Sequence, residues 1–331
     1  MNVHELPMIL FTVIGQMSVG AFWALGAVHV YGYSKKLSPQ VVDRVTDTAL
    51  YAAGPLLVLG FVAAFFHLGD PVNALNTLRH VASSWQSREI ASGIVYGAAG
   101  FVFAAAQWFG WFSRTVRQVL AGVTAVAGFL LVVTMAGTYY SVETIPAWHH
   151  PATWVFFFAS AILTGSLAVG VALLITWNMQ TRQAGGWMYR LAKRFRLISS
   201  EPMTDELNRL TTKSLQGISL SAALAGVAML VTYPIYFLYL SNGPAAAQEV
   251  ADRLMMPASY IRLALLAVVV ILAGVFAFVR ARNESTPSRA LAIIIVTAFV
   301  LAVITELLGR GMHYEGLYHV GLNTTQYLLG Q

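Results

Sequence analysis

Four short stretches of this 331-residue chain set ionisable side chains beside long apolar runs. FFHLGDP carries His67 and Asp70. SREIASG carries Arg88 and Glu89. TYYSVETIPAWHHPATW carries Tyr139, Tyr140, Glu143, His149 and His150, and TELLGRGMHYEG carries Glu306, Arg310 and His313. Ionisable groups at membrane depth cost several kcal/mol, so each is a functional candidate by default. His67 sits where a helix ends, ahead of Gly69 and Pro71, and a histidine there also suits the helix dipole. Ser87 is expected to cap the next helix, with Glu89 in its first turn, facing His67 across a short connection. A carboxylate there, held between burial and the helix dipole, suits a proton acceptor. Glu306 and Arg310 stand four apart on one helix face and are expected to pair, as a structural ion pair or as ligand contacts. Most of the aromatic stretch around Tyr140 fits an interfacial belt.

All four stretches fall at helix ends on one side of the expected topology. Bases beside an apolar, aromatic-rich bundle suit oxidation of a quinol, which releases two protons with two electrons and needs acceptors close to its ring oxygens. Haem is the other redox option. Of the eight histidines, only His29 and His67 fall in or at the edge of an apolar run, and on opposite sides, so a bis-His haem is not expected. There is no cysteine, and no HExxH motif or Gly-rich phosphate loop. No metal site and no resident cofactor are expected.

The elements that position these groups follow from composition. Hydrophobic residues make up 57% and charged residues 10% of the chain, and the mean hydropathy is +0.66. A soluble fold cannot place that much apolar surface, and disorder is excluded on the same ground. A bilayer core needs about 20 apolar residues per helix. Eight runs qualify, at about 8–31, 46–67, 90–111, 117–140, 153–177, 215–240, 260–280 and 289–309. They are too long and too uniformly apolar for barrel strands. The expectation is an all-α integral membrane protein, a single domain of eight transmembrane helices. The N-terminal run lacks a leading Lys or Arg and is expected to remain as the first span.

Fifteen of the twenty Lys and Arg residues lie in the first, third, fifth and seventh connections. That side is expected to be cytoplasmic, with both termini outside. The net charge of +6 fits basic loops at an anionic leaflet better than nucleic acid. The longest polar stretch, about 178–214, is expected to be a basic cytoplasmic loop, with a short amphipathic helix after Pro202 that uses Met203, Leu207 and Leu210.

The chain resembles the membrane anchor subunits of the dimethyl sulfoxide reductase family, the DmsC family. The resemblance covers nearly the whole length. It is carried by HELPMILFTVIGQ, by HLGDPVNALNTLRHVASSWQSREIASG, by the TIPAW region and by ELLGRGMHY. It implies eight helices with periplasmic ends in a bacterial inner membrane, and no haem. It further implies an iron–sulfur subunit and a molybdopterin catalytic subunit as partners, and menaquinol or ubiquinol as electron donor. The family's quinol-linked histidine and glutamate match His67 and Glu89. Arg88, Tyr140, Glu306 and Arg310 are added here from position and chemistry, which puts the quinol site near the periplasmic face. The fifth connection is longer and more basic than in the shorter members.

Related anchors also serve sulfite-oxidising enzymes, in which electrons run toward quinone. Three other classes stay open on sequence alone. A purely structural anchor would need none of these residues for turnover. A transporter calls for repeated halves and broken helices, and neither is evident; Pro234 is explained by a kink. A haem-bearing subunit would show a Soret band.

Overall fold

The computed structural model describes residues 6–65, 71–182, 186–195, 197–199 and 201–320. Among them there is no strand. His67 and Asp70 lie outside the described residues, and so does whatever His67 does opposite Glu89.

The order is α1 (Leu6–Ser34), α2 (Pro39–Phe65), a 3-10 stretch (Pro71–His80), α3 (Trp85–Phe109), α4 (Arg114–Tyr140), α5 (Ala152–Arg182), α6 (Trp187–Arg194), α7 (Asp205–Ser241), α8 (Ala245–Leu254) and α9 (Pro257–Ile271). A π segment (Leu272–Ala277) then runs directly into α10 (Phe278–Asn283), and α11 (Arg289–Glu315) follows. Among the described residues, seven helices are long and apolar enough to cross a membrane: α1, α3, α4, α5, α7, the continuous 257–283 helix and α11. The run expected at 46–67 falls on α2, whose first turns carry Asp43, Arg44 and Asp47. Hydroxyls cap four helices, since Ser84, Ser113, Thr204 and Ser288 each accept from the N–H three residues on. Gly110, at φ +67°, ends α3 in the left-handed conformation a glycine adopts without strain.

Three expectations change. Ser84, not Ser87, caps α3, so Glu89 lies beyond the first turn and deeper in the helix. The polar stretch 178–214 is mostly helical. α5 runs to Arg182, and the residues after Pro202 open the 37-residue α7 rather than a separate helix. Thr204 caps α7, and Asp205 and Glu206 in its first turn complement the dipole. The eight-residue α6 lies between them. At Pro234 α7 stays continuous.

α5 is the hub, packed against α1, α2, α4, α7 and α11. α3 pairs with α4, and α7 with the 257–283 helix. Glycines set the α1–α5 spacing. A Cβ at Gly20 would collide with the Ala161 carbonyl, and one at Gly165 would collide with the Gly20 backbone. Small residues of this kind let backbones approach where no hydrophobic force drives helices together in lipid. Outward faces carry a belt of exposed Phe101, Val126, Leu224, Ile235, Phe276 and Ile293, as lipid requires.

The two ends of the bundle differ. At one, ion pairs with an exposed partner stand at helix ends: Arg44 of α2 reaches Glu201 at 3.2 Å, and Arg280 pairs with Glu284 four residues on at 2.8 Å. At the other, connections fold over the helices. Thr144 contacts His319 at 3.0 Å, and Tyr236 donates to the Ala147 carbonyl at 2.9 Å.

Gly165→Val should therefore destabilise the bundle by about 1–3 kcal/mol, the usual cost of overpacking. Gly217→Ala, where a Cβ meets nothing within 4 Å, should change little. Thermal unfolding of the purified protein checks this; equal midpoints for the two variants would mean that α1 and α5 are not in close contact.

Candidate functional site

The folded-over end encloses a polar cluster. Glu89, Arg262, Glu306 and Arg310 are each between 3% and 5% exposed. Burying four ionisable groups inside a lipid-facing bundle needs partners for each.

Glu89 reaches from α3 to α4, where Thr138 Oγ1 donates to its Oε2 at 2.8 Å. One turn on, Ser92 meets Thr134 at 2.7 Å. The same end of α3 is held by Trp85, whose ring lies against Gly137; a Cβ at Gly137 would strike it. Arg88 serves a different purpose. It is half-buried, lies over the Trp85 ring at 4.7 Å, and donates to the Val81 and Ala82 carbonyls at 2.9 and 2.6 Å. It fastens the connection into α3 and does not join the cluster.

The expected Glu306–Arg310 pair is replaced. Glu306 takes its ion pair from Arg262 of α9, at 3.9 Å. Arg262 also donates to the Thr305 carbonyl at 3.2 Å and to Tyr233 Oη, and lies over the Tyr233 ring. Gly309 leaves the room, because a Cβ there would collide with the Arg262 guanidinium. Arg310 turns the other way. It donates to Gln16 Oε1 on α1 at 2.9 Å and sits 3.9 Å over the Phe157 ring. Spacing by four puts both groups on one face, but a tertiary partner outcompetes the local one.

A hydroxyl chain continues beside Arg310. Tyr139 and Tyr314 meet at 3.0 Å, and Tyr314 donates to Thr12 at 3.4 Å. Tyr139 is buried in this cluster. Tyr140 instead stacks on His149 at 4.7 Å and accepts the His149 Nδ1–H on its carbonyl at 2.6 Å, toward the surface. Of the two adjacent tyrosines, the structure brings in the one sequence reasoning left out. His313 is also brought in. Its ring stacks on Trp148 and meets Tyr139 edge-on at 4.8 Å, and its Nε2 is buried without a hydrogen-bond partner among the described residues. Trp148 Nε1 donates to the His313 carbonyl at 2.8 Å and closes the end. Trp148 and Tyr139 thus serve as a lid on charged groups as well as a belt.

The run expected at about 260–280 contains Arg262, but the charge count takes it only as a charge of one face; Pro257 opens α9 and sets it five residues inside the helix. A usable signal exists: an Arg five residues after a Pro that opens an apolar run. A cavity of about 40 Å³ lies against Arg262, Glu306, Arg310 and His313. It is of water size and too small for a ring. Of the expected site residues, then, Glu89, Glu306 and Arg310 fall in one buried region; Arg88 and Tyr140 fall at its edge.

Arg262→Met leaves Glu306 buried and uncompensated, which should cost about 3–5 kcal/mol. Arg262→Met with Glu306→Leu should recover most of that loss, and Gly309→Ala should reproduce part of it. A double-mutant cycle in thermal unfolding reads the coupling; additive effects would show that the two groups do not interact.

Residues 1–317 match the family model described as DMSO reductase anchor subunit (DmsC). An anaerobic dimethyl sulfoxide reductase chain of Escherichia coli (strain K12) is 32% identical over 188 residues, 57% of this chain and 62% of that protein. The protein of the same name from Haemophilus influenzae is 34% identical over 175 residues, 53% of this chain and 60% of its own. A sulfite dehydrogenase subunit of Allochromatium vinosum is 30% identical over 145 residues, 40% of this chain and 44% of that protein. The chain spans about three-fifths of the length of the first two relatives. With the family match running almost end to end over a bundle of membrane-length helices, the chain belongs to the DMSO reductase anchor subunit (DmsC) family.

Proposed function

We propose that this chain is the membrane anchor and quinol-oxidising subunit of a heterotrimeric molybdopterin oxidoreductase of the dimethyl sulfoxide reductase type. Its partners are an iron–sulfur subunit and a molybdopterin catalytic subunit. It lies in the bacterial inner membrane as eight spans, α2 included, with both termini and the polar cluster at the periplasmic face. Family membership and the Lys and Arg distribution support this reading.

One observation carries the quinol assignment: Glu89 is a buried carboxylate at the end of a span, and among the described residues a single side-chain hydroxyl, Thr138 Oγ1, donates to it. Lone-pair positions on the carboxylate remain for a further donor, and the ring hydroxyl of a quinol is one. The quinol enters sideways from lipid at the outer end of α3. Glu89 accepts a proton from one ring oxygen while His67, matched by resemblance, holds the other. The quinol becomes quinone as two protons leave outward and two electrons leave one at a time; the iron–sulfur centres that a partner subunit would hold would accept them. Arg310, held by Gln16 and Phe157, supplies a fixed positive charge near Glu89. Arg88 fixes the entry to α3, and Tyr140 shapes the surface above it. If protons leave on the reductase side, the reaction moves no net charge across the membrane.

The likeness to the sulfite dehydrogenase subunit supports a second reading in which the same site runs in reverse, with Glu89 delivering a proton to a quinone. Partners that co-purify with the chain, identified by mass spectrometry with molybdenum, iron and Soret measurements, separate the two.

Glu89→Gln should assemble normally and lower quinol-dependent turnover by about 10²-fold, the usual contribution of a positioned base. Reduction of the terminal acceptor by an artificial dye that feeds the iron–sulfur subunit directly should be unchanged. Undiminished quinol turnover would leave a purely structural anchor.

A further inference from the structure

The first four helices hold a second cleft, at the end opposite Glu89. Its volume is about 390 Å³, within the range of small-molecule sites. Gln107 is one of its linings and lies on α3, eighteen residues from Glu89. The two positions are therefore roughly 27 Å apart along the helix axis.

The cleft has apolar aromatic walls and convergent polar groups. Phe22 and Phe103 meet edge-on at 5.7 Å and, with Trp23, form the wall. His29 Nε2 lies 2.9 Å from Thr46 Oγ1, and Gln107 donates to Asp47 Oδ1 at 3.1 Å. Arg114 reaches Asp43 Oδ2 at 3.4 Å. Arg117 also lines it, and its buried Nε has no hydrogen-bond partner among the described residues. Gly26 of α1 and Gly122 of α4 both line the cleft; both are exposed, and a Cβ at either meets nothing within 4 Å, so the cleft reaches the surface there.

The charges decide what fits. Two carboxylates, Asp43 and Asp47, face two guanidinium groups, Arg114 and Arg117, so the cleft offers no net positive charge to a phosphate. It offers a neutral ring both donors and acceptors, aromatic walls to lie against, and a side door for a tail. We propose that this cleft binds the head of a quinone or quinol, a neutral, flat, oxygen-bearing ring with an apolar tail, at a second site separate from Glu89. The site does not depend on what happens at Glu89, and its ligand exchanges through the opposite leaflet.

The test uses the intact complex in lipid nanodiscs and a naphthoquinone with a diazirine on its isoprenoid tail. After irradiation, labelled peptides are mapped by mass spectrometry. Label is expected on residues 22–30, 103–107 and 117–122, competed by unlabelled menaquinone and not by phosphatidylglycerol. Gly122→Leu, and separately Gly26→Leu, should reduce that label roughly fivefold or more, a loss of about 1 kcal/mol of binding, while label near Glu89 persists. Absence of label from these segments, displacement by the phospholipid, or label indifferent to both leucines overturns the proposal. Label in the cleft with none near Glu89 upholds it and removes the quinol site proposed at the outer end.

Discussion

The ion pair between Arg262 and Glu306 is the contact around which the folded-over end of the bundle is arranged. A charge facing hydrocarbon is expensive, and a lone buried one more so. α9 and α11 cannot part without exposing both groups. The pair also fixes what α11 can do elsewhere. With Glu306 taken and Gly309 given over to the guanidinium, Arg310 is left to reach α1 through Gln16 and to rest on Phe157 of α5. Tyr314, one turn further, then meets Tyr139 of α4. A single helix, through residues at i, i+4 and i+8, thereby ties together most of the bundle.

The opposite end works by different physics. Its ion pairs, Arg44–Glu201 and Arg280–Glu284, each have one exposed partner, and such pairs contribute little. They mark where helices enter water and do not hold the helices together. Packing near that end comes from an apolar cluster shared by α1, α2, α5, α7 and α11. A cleft can survive there because α1 packs mainly on α2 and α5 while α4 packs on α3, leaving a seam between the two pairs.

Much of this was legible in the amino-acid sequence, for reasons specific to membranes. Apolar runs of about 20 residues have few other interpretations, and the expected spans fall on helices α1 to α5, α7, the 257–283 helix and α11. Ends were harder. Hydropathy stops where charges begin, but α7 starts at Asp205, well before the apolar run, because Thr204 caps it and its amphipathic first turns pack Leu207 and Leu210 inside. Partner choice was the least legible. Glu306 and Arg310 follow from their spacing, while Arg262, inside the run expected at 260–280, counted only toward the topology and was never weighed as the competitor. Tyr139 and Tyr140 differ by one residue, about 100° around a helix. α4 is too apolar all round for periodicity to say which of them faces inward. Glu89 was recognised, yet its depth followed from a cap three residues earlier than expected.

The π segment Leu272–Ala277 sets one more constraint on this arrangement. Such a turn accommodates one extra residue within an otherwise regular helix. What lies before it is rotated against what lies after it by about 100° relative to an unbroken helix. Arg262 stands before it and Arg280 after it. Ala273, Gly274 and Ala277 let the widened turn pack against α7 and α11. Between these two arginines, length is therefore a phase. Loss of a single residue here would keep the span apolar and helical, yet point one of the two guanidinium groups into lipid. Alignments of such anchors should be gapped at this turn only when the helix on one side of it has found a different partner.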